Sequence, residues 1–209
     1  MSTPQTDGRT KRAEAQRESR RAHILKTALD VFAAKGYHQT RVSDIIDAAG
    51  IARGTFYLYF PSKSAIFHEL LDQLLDEVRS TLVGVDTSKD APPLQDQLFE
   101  ALMFIVQTVE QHRPLTKIIF REAPGLDDEA NRKLREFYRY LHQFMAESLQ
   151  NGQKLGVIRD LDSEIVASCI LGSVKFILEE QVLSGADRAI DSEHLGREVL
   201  AYNLRGLLP

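Results

Sequence analysis

One short run of this chain sets a guanidinium, a hydroxyl and two phenols close together, at Arg53, Thr55, Tyr57 and Tyr59. All four side chains donate hydrogen bonds, and the acceptors they suit are phosphate oxygens and the edges of nucleotide bases. Arg53 heads the run and is the candidate for a base edge, such as guanine O6 and N7. Gly54 beside it leaves the backbone bare, so a partner can approach closely, where the start of a helix also favours phosphate.

Two elements must position these groups. Val42, Ile45, Ile46 and Ala49 fall at i, i+3, i+4 and i+7, the apolar stripe of a short helix. Thr40 is placed to cap it, Asp44 suits its first turn, and Gly50 is the expected stop. A second helix then runs from about Ala52 to Phe60, with Phe56 and Phe60 packing inward and the donors outward. Residues 41–60 therefore read as a helix-turn-helix, in which the first helix braces the second and the second enters the major groove of DNA. The alternative is a small helical hairpin with exposed aromatics.

The segment ALDVFAAKGYHQTRVSDIIDAAGIARGTFYLYFPSKSAIFHELL resembles the N-terminal DNA-binding domain of the TetR family of transcriptional regulators. The matching features are AxxxFxxxGY, Thr40 before the short helix, GIARGTFYLYF, and Lys63 in the following PSK. The resemblance covers roughly the first 80 residues; the remainder is similar only in length and helical character. It implies that Thr40 and Lys63 touch backbone phosphate and that the second domain binds an inducer; Arg41, next to Thr40, is expected to help on phosphate. GYHQTRVSDI and GTFYLYF are also similar to regulators of fatty-acid breakdown that sense acyl-CoA, although these stretches lie in the DNA-binding head.

Charge agrees with that division. Residues 1–63 hold 11 Lys/Arg against 6 Asp/Glu, or +5, and residues 64–209 hold 15 against 24, or −9. A basic head on an acidic body fits phosphate binding at one end. Of 209 residues, 43% are hydrophobic and 27% charged, enough for a sizeable core. No apolar run reaches the roughly 18 residues of a membrane span. The N-terminus lacks the apolar centre of a secretory signal. The expectation is a cytoplasmic protein without a membrane partner.

In order, residues 1–17 read as a disordered basic arm, either tracking DNA or merely solubilising. A helix from about Glu18 to Lys35 is stopped by Gly36. After Pro61, Ser62 caps a helix from about Lys63 to Leu82 whose buried side is Ile66, Phe67, Leu70, Leu71, Leu74, Leu75 and Val78. The DNA-binding domain with this connecting helix is thus 18–82, and a turn-rich linker leads to a second domain at 94–209. Helices are expected there over 94–112, 114–123 (closed by Pro124 and Gly125), 127–150, 163–184 and 192–205, with Gly152 and Gly156 marking a turn. The fold class is all-α, with about nine helices.

The last two helices carry more apolar surface than one neighbour covers, which predicts a homodimer through them, with Gly172 and Ser173 allowing close approach. A dimer matches a palindromic double-stranded operator. Phe99, Met103, Phe120, Phe137, Tyr138, Leu141, Phe144, Met145 and Phe176 are candidates to line a pocket for a small apolar ligand, or simply a core; Lys117 and Arg121 are placed for an anionic end. Cys169 is expected as a small buried hydrophobe. No metal-binding set, phosphate loop or nucleophile elbow occurs, so neither an enzyme nor a cofactor is expected. The reading is a ligand-responsive regulator, most simply a repressor. An architectural DNA binder without ligand, or an enzyme or carrier using the apolar domain, are the alternatives.

Overall fold

The computed structural model describes residues 6–122, 127–184 and 191–207. Among them are nine α-helices and no strand: α1 (Thr6–Lys35), α2 (Val42–Ala49), α3 (Arg53–Tyr59), α4 (Lys63–Ser80), α5 (Leu94–Gln111), α6 (Arg113–Glu122), α7 (Asp128–Lys154), α8 (Ser163–Leu183) and α9 (Ser192–Leu207). They form two units that divide between Leu71 and Asp72, inside α4. Sequence reasoning puts that division at the end of the helix, near Leu82. The buried side of α4 explains the difference, because Ile66, Phe67, Leu70 and Leu71 belong to the first unit while Leu74, Leu75 and Val78 belong to the second.

In the first unit Ile24, Ala28 and Phe32 of α1 are wholly buried, as are Ile45, Phe56, Ile66 and Phe67. Phe32, Tyr37 and Phe67 meet at ring distances of 4.8–6.5 Å, within the range where aromatic pairs add to area burial. Arg21 forms an ion pair with Glu69 and lies 5.0 Å over the Phe60 ring, joining α1 to α4 and to the end of α3.

The start of α1 corrects the expectation of a disordered arm. The helix already runs from Thr6, and residues 1–5 lie outside the described residues. Thr10 to Arg20 are exposed, so there is no apolar stripe for periodicity to find. Ala13, Glu14, Ala15, Gln16 and Arg17 are instead strong helix formers, and extending a helix nucleated elsewhere costs far less than starting one.

In the second unit α8 packs on α6 and α7, and α5 on α9. One cluster joins Val106 and Val109 of α5 to Leu178 and Val182 of α8; another joins Ala146 and Leu149 of α7 to Ala167 of α8 and Leu207 of α9. Helix ends are fixed by side chains. Asp127 accepts from the Ala130 N–H at 2.9 Å, Asp162 accepts from Glu164 and Ile165, and Arg113 donates to the Gln181, Val182 and Ser184 carbonyls that end α8. Gly196 permits the α5–α9 approach, since a Cβ there would lie 2.8 Å from Met103 Sδ and 3.2 Å from Phe99.

Two further expectations change. Gly152 lies inside α7, buried against Ile158, and only Gly156 takes the turn, at φ 72°. Cys169 is exposed, because α8 is apolar on most of its circumference and its neighbours cover only part of it. Pro124 and Gly125, expected to close α6, lie outside the described residues.

Candidate nucleic-acid interface

The geometry of residues 36–63 begins with two turns. Gly36 ends α1 at φ 84° with its N–H on the Phe32 carbonyl at 2.8 Å. Gly50 ends α2 at φ 62°, where its N–H reaches Asp47 and the Ile51 N–H reaches Ile46, the double bond of a left-handed helix stop. The α2 start differs from expectation. Arg41, not Thr40, is the cap residue, its N–H donating to Asp44 Oδ2 at 2.8 Å. The Lys35 ammonium, 2.9 Å from Asp44, and the Arg41 N–H hold the Asp44 carboxyl below the usual carboxylate range.

Thr40 and Lys63 are committed internally. Thr40 is buried and its hydroxyl donates to the Gly36 carbonyl at 2.8 Å. The Lys63 ammonium donates to the carbonyls of Tyr37 at 2.7 Å, Thr40 at 2.8 Å and His38 at 3.2 Å, and stands 4.7 Å over the Tyr37 ring. An ammonium has three protons, and here all three have carbonyl acceptors. In this geometry both residues brace the α1–α2 turn. The physical reason is that the turn leaves carbonyls that only a nearby cation or hydroxyl can satisfy.

α3 sorts its side chains cleanly. Phe56 and Phe60 are buried, Thr55 and Tyr59 are half-buried flanks, and Arg53, Gly54 and Tyr57 face outward. The Arg53 guanidinium lies 5.8 Å from the Tyr57 ring centroid, which restrains both in one orientation. Arg41 is exposed at the start of α2. Sequence reasoning missed Leu58, which is 76% exposed on the same outward face. The helical wheel contains the signal, since residue 58 lies one turn beyond residue 54. The exposed stretch of α1 adds Lys11, Arg12, Arg17 and Arg20 to the unit's cations. Such an arrangement can present a guanidinium, a phenol and a bare backbone to a duplex groove.

The expected ligand-pocket residues are not brought together. Phe99 and Met103 pack at Gly196. Phe120 joins the Val106–Leu178 cluster, and Met145 the Ala146–Leu149 cluster. Phe137 is buried beneath Arg79, whose guanidinium lies 5.5 Å away, with Tyr138 next to it at 5.9 Å. Burial pushes the Tyr138 phenol above its ordinary range. Leu141 and Phe144 are half-buried on α7, and Phe176 is 64% exposed. The space bounded by Leu102, Val106, Val174, Leu178, Leu195 and Val199 amounts to about 10 Å³, no more than one water. An open groove of about 530 Å³ lies instead between α5 and α9, and of the expected set only Phe99 lines it. Among the described residues no His, Cys, Asp and Glu side chains are grouped to hold a metal, and no helix is long and apolar enough to cross a membrane.

Comparison with known proteins decides what the α2–α3 geometry belongs to. Residues 24–70 match the family model described as bacterial regulatory proteins, tetR family, and residues 91–179 match tetracyclin repressor-like, C-terminal domain. The chain is 31% identical over 192 residues to the HTH-type transcriptional regulator YdgC of Bacillus subtilis, covering 90% of this chain and 93% of that protein. The chain belongs to the TetR family. Its fold is accordingly the TetR arrangement of an N-terminal helix-turn-helix domain and a helical C-terminal domain, and it is a DNA-binding regulator of transcription rather than an enzyme. Among solved structures, the fatty acid degradation regulator FadR from Bacillus halodurans is 25% identical at a TM-score of 0.68, covering 90% of this chain and 95% of that one. FadR from Bacillus subtilis, solved in complex with stearoyl-CoA, is also 25% identical at 0.68, with coverages of 88% and 98%.

Proposed function

We propose that this TetR-family chain is a cytoplasmic repressor that binds a palindromic operator as a homodimer and is released by an apolar ligand of the fatty-acyl kind. The observation that carries the DNA half is the outward face of α3, where Arg53, Gly54 and Tyr57 are exposed while Phe56 and Phe60 anchor the helix. Thr55 and Tyr59 flank that face, and Arg41 is exposed at the start of α2.

Dimerisation is supported by an apolar stripe on α8. Ile165 at 62% exposure, Cys169, Gly172 and Phe176 at 64% recur at i, i+4, i+7 and i+11, with Tyr202 of α9 exposed as well. A repeating apolar stripe left in water is what an isologous helix pairing would cover.

The ligand reading draws on the stearoyl-CoA bound by the Bacillus subtilis FadR to which the chain is similar. The space of about 10 Å³ between α5, α8 and α9 is too small for an acyl chain, so a ligand seated there would part those helices. Release follows if parting them tilts α4, which is separated from α3 by only three residues and bears buried residues of both units. The same lack of room between these helices favours a second reading, a DNA binder with no ligand.

One titration separates the two. Fluorescence anisotropy of a selected palindromic duplex, at fixed salt, should show tight binding that a scrambled duplex does not compete for, and stearoyl-CoA should raise the apparent Kd. Reciprocal coupling requires the duplex to weaken stearoyl-CoA binding by the same factor. Equal affinity with and without acyl-CoA thioesters removes the ligand half and leaves the second reading.

A further inference from the structure

The outward face of α3 is divided lengthwise. Arg53 and Tyr57 form its polar edge, the guanidinium resting near the phenol ring. Gly54 and Leu58 form the other edge, one turn apart in sequence and about 40° apart around the helix. Leu58 is 76% exposed, against 46% for Tyr57.

Neither residue of this second edge is accounted for by folding. Gly54 lies within a helix, where glycine is among the weakest formers. It takes no left-handed backbone conformation, and a Cβ built on it would meet nothing within 4 Å. Leu58 contributes little to the core, which Phe56 and Phe60 fill from the opposite side. What the pair makes is a shallow apolar notch: a missing side chain below an unsupported isobutyl group, on a helix that faces DNA.

The major groove offers one apolar group to such a notch, the C5-methyl of thymine. We infer that Gly54 and Leu58 form a thymine-methyl reader, so that Leu58 is a specificity-determining residue next to the hydrogen-bonding pair Arg53–Tyr57. The inference rests on α3 being the reading helix. Thymine, not cytosine, is selected, because both pyrimidines present C5 to the groove and only thymine carries the methyl. The absence of a Cβ at Gly54 is what lets the methyl settle beside the Leu58 side chain.

Uracil tests this without touching the protein, since it differs from thymine only by that methyl. Full-length chain is first used to select duplexes from a randomised pool. Each thymine of the selected half-site is then replaced by uracil in turn and affinity measured by anisotropy at constant salt. At one position per half-site the wild-type chain should lose about fourfold in affinity, the worth of one buried methyl. Leu58→Ala should bind the thymine and uracil duplexes alike at that position. Gly54→Ala, whose added methyl has free space in the protein, should narrow the difference. Circular dichroism verifies that both variants are folded.

Equal wild-type affinity for thymine and uracil at every position overturns the inference, and so does a full thymine preference in Leu58→Ala. If Arg53→Ala weakens binding in that case, α3 remains the reading helix and only the notch is lost. If Arg53→Ala has no effect either, both fall together.

Discussion

Replacing Lys63 by methionine tests the carbonyl clamp at the α1–α2 turn. The substitution keeps the apolar stem and removes the ammonium that serves the Tyr37, Thr40 and His38 carbonyls at 2.7, 2.8 and 3.2 Å. A hydrogen bond to a charged group is worth about 1.5–3 kcal/mol. The three share one cation and the His38 bond is solvent-exposed, so they do not add. Lys63 also sits in the first turn of α4, where a cation opposes the helix dipole, and its removal recovers about 0.3–1 kcal/mol. The net expectation is a loss of about 2 kcal/mol, read as a lower urea midpoint by circular dichroism at 222 nm. DNA binding gives the second measurement. A lysine that neutralises a phosphate contributes about 0.9 to the slope of log K against log salt, whereas one consumed by carbonyls contributes nothing. With the protein kept fully folded, the slope from 50 to 200 mM salt should be unchanged. An unaltered urea midpoint together with a slope flattened by ~0.9 would refute the carbonyl clamp and restore Lys63 as a phosphate contact.

Arg53→Ala should cost about 1–3 kcal/mol of operator affinity and relax preference at one base pair, measured by competition with single-position variants of the duplex. Phe176→Asp should convert a dimer to monomer in light scattering at micromolar concentration without loss of helicity, because the ring is already exposed; an unchanged mass would place the interface elsewhere. Asp44→Asn should be less stable than the parent at pH 7. The folded carboxyl of Asp44 is held below the ordinary aspartate value of 3.8 by Lys35 and Arg41, so its contribution is present above that value and is lost as pH falls through the lower folded value. The two proteins should therefore converge in stability below about pH 4, and a difference that persists in strong acid would contradict this.

The parts legible in the sequence are those that local rules determine. Val42, Ile45, Ile46 and Ala49 announce α2 by spacing, Gly50 by the backbone it must adopt, and the seven apolar residues from Ile66 to Val78 are all buried in α4. The all-α class and the family follow from such signals. The carbonyl bonds of Lys63 and Thr40 were not legible, because they depend on which carbonyls a turn leaves open. Nor was the arrangement of Phe99, Phe137, Phe144 and Phe176: periodicity places a side chain on an apolar flank but does not say which neighbour covers it, and α8 is apolar nearly all round. Leu58 was concealed by its type, since an apolar residue in a short amphipathic helix is read as core until its angle is worked out.

α4 bears on how the protein comes apart. Leu71 and Leu75 lie one turn apart on the same helix, yet each is buried in a different unit. A helix propagates cooperatively, so melting its second half exposes Leu74, Leu75 and Val78 and frays the segment that holds Leu70 and Leu71. α4 is thus a stretch of helix that contributes core residues to each unit in turn. Amide exchange in α4 should report the stability of whichever unit opens first, and stabilising either one protects part of the other's core.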